Sequence, residues 1–259
     1  MQWLASLHLP VYTYGILLLI AFVGGIAWFA ANCRRLGQPL PDTVDLLLVV
    51  SISGLAGARF LYISLFPEQF SGMADYLALH EGGLVFYGGL FAAIAALFIY
   101  LRLKKIAWQP VFDCLVPSLA MGQAIGRFGC LINGCCYGRR TEMFHIYRLD
   151  NDPEGVFRHP TQAYELMFLM LLAIMATRLL HRMTSPGLLK PGVLSGLYLS
   201  IYSGWRFLIE FLRNDPRGGF FTTMHLSPSQ LLSIILMAMG GSMIVYCNKY
   251  SAGSGVNYK

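Results

Sequence analysis

A chain of 259 residues is long enough for one or two soluble domains, but 56% of it is hydrophobic and only 12% is charged. So few charges could not cover a water-soluble fold of this size, which excludes the soluble classes. The net charge of +6 falls in short basic clusters between apolar runs, a pattern of topology signals and headgroup contacts, and no nucleic-acid partner is expected.

A hydrocarbon core of roughly 30 Å takes about 20 apolar residues per helix. Seven stretches meet that length: about 12–31, 44–65, 84–101, 111–133, 162–180, 193–212 and 225–247. Backbone groups in lipid must be satisfied within the chain, so each stretch reads as a helix. The expected fold class is all-α, a polytopic membrane bundle of about seven transmembrane helices forming a single transmembrane domain over 1–259. The first run is too long for a signal-peptide core and has no basic segment before it, so it reads as a retained span.

The second stretch carries Arg59. The third opens between two glycine pairs, Gly82–Gly83 and Gly88–Gly89, and the fourth carries Arg127 among Gly122, Gly126, Gly129 and Gly134. Small residues at such spacing let helix backbones approach. A polar, mixed-charge loop over about 137–160 follows, too long for a simple turn and of a length that often carries function. Glu165 stands near the start of the fifth stretch, and Arg206 and Glu210 lie in the sixth. Ten Lys and Arg fall on one set of loops: Arg34, Arg35, Arg102, Lys104, Lys105, Arg178, Arg182, Lys190, Lys249 and Lys259. Six fall on the other, Arg139, Arg140, Arg148, Arg158, Arg213 and Arg217, where Glu142, Asp150, Asp152, Glu154 and Asp215 accompany them. The richer side reads as cytoplasmic, which puts the N-terminus outside, the C-terminus inside and the 137–160 loop on the outer side.

Three arginines therefore sit inside apolar spans: Arg59, Arg127 and Arg206. An arginine at a span centre costs at least ~2.5–3.5 kcal/mol on insertion scales, so it faces a bundle interior, a wet cavity or an anion. Arg206, Glu210 and Arg213 share one helix face by their spacing. One possibility is a structural ion-pair ladder. The other is a polar cavity whose surplus guanidinium charge binds phosphate, because the planar fork matches phosphate oxygens and stays charged when desolvated. The nearest abundant anion in a membrane is a phospholipid headgroup.

Five segments together resemble a known family. GRFGCLINGCCYG (126–138) is similar to the signature of the prolipoprotein diacylglyceryl transferases. HPTQAYE (159–165), WRFLIEFLRNDP (205–216), SPSQLLSI (227–234) and GGLVFYGGL (82–90) are similar to family segments in the same order. Tyr14, before Gly15, and Arg59 also fall where the family has similar residues. The resemblance implies a multi-pass enzyme of the bacterial inner membrane. Such an enzyme moves a diacylglyceryl group from phosphatidylglycerol to the lipobox cysteine thiol of a preprolipoprotein signal peptide, and glycerol-1-phosphate leaves. It further implies that Arg127 and Arg206 are catalytic. By the same carry-over, Tyr14, Asn133, Gly138, His159, Gln162, Tyr164, Glu165 and Glu210 line the substrate pocket, with Arg59 assisting. The expected partners are phosphatidylglycerol, the lipobox segment and membrane lipids. No cofactor or metal is expected, since no convincing ligand set stands out in the sequence.

Three positions depart from the family pattern. Tyr87 stands where His is usual, Cys130 where Asn is usual, and Cys135 where Glu is usual. The replaced His and Glu are the groups one would nominate to deprotonate a thiol. Tyr87 can donate a hydrogen bond, but a phenol of ordinary pKa near ~10 is a poor base at neutral pH. His80, Glu81, His159 and Glu210 are candidates to compensate, and Cys135 is a candidate thiolate base or transient acceptor. Of six cysteines, Cys33, Cys114, Cys130, Cys135, Cys136 and Cys247, three lie within seven residues on the oxidising side. They admit three roles: packing, an outer disulfide, or active-site thiols. Cys130 and Cys135 are too far apart in a straight helix for a disulfide unless Asn133-Gly134 breaks it. His181 is expected in an inner basic cluster, His225 at the outer end of the last span, and Trp3, Trp108 and Trp205 in interfacial belts. Beside the transferase reading stand two others: a relative that uses the same lipid donor with another acceptor, and a non-catalytic phospholipid-binding protein.

Overall fold

The structure is a computed structural model that describes residues 12–38, 43–70, 72, 76, 82–142, 147, 155–183, 189–213 and 226–250. His80, Glu81, His225 and Trp3 lie outside the described residues. Seven α-helices occur where the apolar runs fall: α1 Tyr12–Arg35, α2 Thr43–Leu65, α3 Phe86–Leu103, α4 Trp108–Ile132, α5 Thr161–Arg182, α6 Val193–Ile209 and α7 Pro228–Tyr250. Among the described residues there is no strand, and two isolated bridges, Gly138 with Arg213 and Arg140 with Arg158, complete the pairing. α1, α2, α4, α5 and α7 are long and apolar enough to cross a membrane, while α3 is a shorter apolar helix. Met167, Leu171 and Met175 stand exposed at four-residue intervals along α5, an apolar stripe suited to lipid.

α6 ends at Ile209, three residues before the expected boundary, and Glu210–Leu212 continue as a 3-10 turn. The cause lies just beyond, where Arg213 turns extended at φ −80°, ψ 154° and bridges Gly138. That pairing pulls the chain off the helix axis.

The chain forms two compact units, one of Met1–Gln38 with Gln109–Lys259 and the other of Pro39–Trp108. In the smaller unit α2 and α3 pack antiparallel through glycine. A Cβ on Gly57 would overlap Ala92 Cβ and the Gly88 carbonyl, and a Cβ on Gly89 would stand 2.8 Å from the Gly54 carbonyl oxygen. With no hydrophobic drive between helices in lipid, such backbone proximity supplies the packing. Gly57→Val is expected to destabilise this pair by about 1–3 kcal/mol through overpacking. Thermal unfolding of the purified protein in detergent reads this out, and an unchanged midpoint contradicts the close crossing.

In the larger unit α6 and α7 cross in the same way, with Gly196 and Gly240 facing each other's carbonyls. Asn32 of α1 donates to the Cys114 carbonyl of α4 at 3.1 Å. Asp113, fully buried on α4, accepts from Gly192 N at 2.6 Å and from Ser195 N and Oγ at 2.8 and 2.6 Å. A carboxylate from one helix thus caps the N-terminus of another, satisfying orphan N–H groups at the positive end of the helix dipole. These contacts fix α4 against α6 and so set where Arg127 stands relative to Arg206.

Candidate active site

The ends of α4 and α6 and the starts of α5 and α7 meet around one carboxylate. Glu165, in the second turn of α5, is fully buried. Its Oε2 pairs with Arg127 Nε of α4, and its Oε1 lies 3.4 Å from Arg213 Nη1 and 3.7 Å from Arg206 Nη1. A second carboxylate, Glu210, places Oε2 at 2.9 Å from Arg206 Nη1 and 4.0 Å from Arg213 Nε. Glu210 Oε1 accepts from Ser227 Oγ at 3.0 Å, and Arg206 Nη2 donates to Ser229 Oγ at 3.3 Å.

The start of α7 is built to present those serines. Ser227 N donates to Gln230 Oε1 at 2.9 Å, and Gln230 N donates to Ser227 Oγ at 3.2 Å. This is a capping box with Pro228 in the first helical position. The same Ser227 hydroxyl therefore closes the helix and donates to Glu210.

Three guanidiniums face two carboxylates, so one positive charge is in surplus. Arg127 is the most accessible of the three, at 19% exposure. Its ion pair with Glu165 runs through Nε. Partly desolvated Arg donors are suited to an anionic phosphate. On α6 nearby, the indole N–H of Trp205 and the hydroxyl of Ser203 are buried and have no hydrogen-bond partner among the described residues.

The loop after α4 is clamped to this network by its backbone. Gly138 N donates to the His159 carbonyl at 2.9 Å, Arg139 N to the Leu212 carbonyl at 2.7 Å, and His159 N to the Arg139 carbonyl at 3.0 Å. A Cβ at Gly138 would stand 2.6 Å from the Leu212 oxygen and 2.7 Å from His159 Cβ. Glycine is required there because three strands of backbone cross. Gln162, also buried, donates to the Cys135 carbonyl at 2.6 Å, and Thr161 donates to the Cys136 carbonyl at 2.8 Å. His159 Nδ1 and Tyr164 Oη lie 3.5 Å apart beside this clamp. Asn133 is exposed at the end of α4, where its N–H closes the last turn on the Gly129 carbonyl at 3.0 Å.

Arg127, Arg206, Glu165 and Glu210 are therefore in one network, and Gly138, His159, Gln162 and Tyr164 are in the clamp beside it. Tyr14 falls in the first turn of α1, and its side chain is outside the described residues. Arg59 and Tyr87 belong to the smaller unit. Arg59 is buried and donates through Nε to the Tyr76 carbonyl at 3.1 Å and through Nη1 to the Gly82 and Gly83 carbonyls at 2.9 and 3.2 Å. Its guanidinium also lies over the Phe70 and Tyr62 rings. Through these carbonyl oxygens and rings the cation holds the segment before α3. Tyr87 is exposed in the first turn of α3.

Arg213, counted in the sequence with the loop residues yet placed on one face with Arg206 and Glu210, is only 5% exposed and sits at the centre of the network. Ser227 and Ser229 lie in the SPSQLLSI segment that resembles the family, but neither was singled out as a site residue.

The three clustered cysteines also converge. α4 stops at Ile132, Gly134 and Cys136 adopt left-handed φ of 63° and 62°, and Cys135 N donates to the Cys130 carbonyl at 3.1 Å. A non-glycine residue in that conformation costs roughly 1–2 kcal/mol, which the Thr161 and Gln162 bonds to this turn help to offset. All six cysteines are free thiols. Burial pushes the Cys135 thiol up. A hydrogen bond from Cys130, with Arg213 alongside, holds Cys136 down at about 4.

Comparison with known proteins places nearly the whole chain among relatives of one kind. The family profile for prolipoprotein diacylglyceryl transferase matches residues 2–246. A phosphatidylglycerol–prolipoprotein diacylglyceryl transferase of Dehalococcoides mccartyi is 32% identical over 245 residues, covering 92% of this chain and 90% of its own length. One from Clostridium perfringens is 32% identical over 249 residues, covering 93% and 92%. One from Clostridium tetani is 28% identical over 235 residues, covering 90% and 91%.

Proposed function

The chain belongs to the prolipoprotein diacylglyceryl transferase family, and from that membership we propose the following reading of its site. The protein is a transferase that moves the diacylglyceryl group of phosphatidylglycerol onto the cysteine thiol of a prolipoprotein. The observation that carries the site assignment is the surplus guanidinium charge, with Arg127, Arg206 and Arg213 set against Glu165 and Glu210 and Arg127 the most accessible of the three. All seven helices span the bacterial inner membrane, with the N-terminus outside and the reaction at the outer face. The loop-charge asymmetry supports that orientation.

In this reading the headgroup phosphate docks against the guanidiniums of Arg127 and Arg206. The lipobox thiolate attacks the glyceryl carbon that bears the phosphate ester. The S–C bond forms, the C–O bond breaks, and the electron pair goes to the departing oxygen of glycerol-1-phosphate. Guanidiniums already oriented by Glu165 and Glu210 stabilise the charge that develops there, without reorganising during the reaction. The His159–Glu165 clamp, Asn133, Gly138 and Tyr14 shape the acceptor side. The proton of the acceptor thiol must leave before attack, since a free thiol is mostly protonated near neutral pH.

The test uses purified protein, labelled phosphatidylglycerol and a lipobox peptide carrying either Cys or Ser. Thioether product and free glycerol-1-phosphate are expected with the Cys peptide alone. Glycerol-1-phosphate released without that peptide points to another acceptor, and no release with either peptide leaves a lipid-binding protein without catalysis.

A further inference from the structure

The thiol cluster at the end of α4 has no part in the chemistry described so far. The Sγ atoms of Cys130, Cys135 and Cys136 all lie within 4.8 Å of one another. Thiolates bound at ~2.3 Å to one tetrahedral or trigonal metal stand about 3.8–4.0 Å apart, so small side-chain rotations bring the three onto a common ion. Their convergence is built by the fold. A continuous helix would point residues 130 and 135 in different directions. The left-handed Gly134 and Cys136 turn the chain back over the helix end, and Thr161 and Gln162 of α5 hold the carbonyls of Cys136 and Cys135.

We propose that Cys130, Cys135 and Cys136 hold one thiophilic divalent cation of the zinc class, with a fourth coordination position open to a thiol. Three sulfur ligands select soft or borderline metals over magnesium or calcium. No His, Asp or Glu among the described residues joins the cluster as a fourth ligand, and three protein ligands with one open place is the pattern of a reactive zinc centre. The open side is given by Cys135, which is exposed, whereas Cys130 is buried. Arg213 lies against Cys136 and orients that ligand from behind, as outer-shell donors do at metal sites.

The identity of the thiol rests on the transferase reading; the metal site does not. An acceptor thiol taking the fourth position releases its proton to water, because a coordinating thiol is deprotonated outright. The metal thereby supplies the activation for which this chain has no His at position 87 and no Glu at position 135.

The test is cobalt substitution of the full chain, purified in detergent under reducing conditions. One equivalent of Co²⁺ per chain is expected, with sulfur-to-cobalt charge-transfer absorption and the visible bands of a tetrahedral site. Cys130→Ser, Cys135→Ser and Cys136→Ser are each expected to lose that spectrum, and Cys114→Ser to keep it. Adding the Cys peptide to wild-type protein is expected to shift the bands, and the Ser peptide to leave them alone; this needs no variant to fold. Absent sulfur bands with all thiols titrating as reduced would overturn the site, as would a disulfide between two of the three cysteines in untreated protein. Bands that ignore the Cys peptide overturn the open thiol position. Intact cobalt bands in a protein that transfers no lipid overturn the transferase reading and leave the metal site standing.

Discussion

Glu165→Gln is expected to abolish diacylglyceryl transfer and to destabilise the protein by about 3–5 kcal/mol, the usual cost of removing one partner from a buried ion pair. The carboxylate is fully buried and contacts Arg127, Arg206 and Arg213 at once. Glutamine keeps the shape and removes the charge, leaving three guanidiniums to Glu210 alone. Arg127 would then lose its ionic anchor and its orientation. Thermal unfolding separates the stability loss from the catalytic one, because transfer is read at a temperature where the variant is still folded. A Glu165→Gln protein with wild-type midpoint and wild-type transfer would remove the carboxylate from the centre of the site.

Arg206→Ala is expected to lower transfer by about 10²–10³-fold, the scale for deleting one preorganised donor to a developing anion. The change also strips Glu210 of its 2.9 Å partner and Ser229 of its donor, so part of the effect is structural. Arg206→Lys distinguishes the two. Lysine keeps the charge beside Glu210 but replaces a planar fork with a point charge, so the unfolding midpoint is expected to recover while transfer stays impaired. Equal recovery of both would reduce Arg206 to a helix-packing residue.

The helices were legible because each apolar run is long enough to need a membrane, and the positions of α1 to α7 follow those runs closely. The face shared by Arg206, Glu210 and Arg213 was legible from helical spacing. Their meeting with Glu165 and Arg127 was not, since it joins residues from three helices whose packing depends on contacts such as Asp113 with Gly192 and Ser195. Arg213 was misplaced among the loops because it follows the apolar run. Its burial comes from the bridge to Gly138, a pairing with no sequence period. Arg59 illustrates the opposite case. An arginine in a span signals a partner, yet the partners are carbonyls of its own neighbouring segment. In the cysteine turn, Asn133-Gly134 signals the helix break, but no pattern announces that Cys136 takes a left-handed conformation and brings a third thiol into contact.

The claim on which the rest depends is that surplus guanidinium charge among these helix ends docks an anionic lipid head. Its most direct test is lipid retention. Wild-type protein and the Arg127→Ala/Arg206→Ala double variant are reconstituted in discs of equal phosphatidylglycerol and phosphatidylethanolamine, extracted, and weighed by native mass spectrometry. Wild type should retain phosphatidylglycerol in preference, and the double variant should lose that preference while remaining folded. Equal retention of the two lipids by wild type, or an undiminished preference in the double variant, would contradict the account.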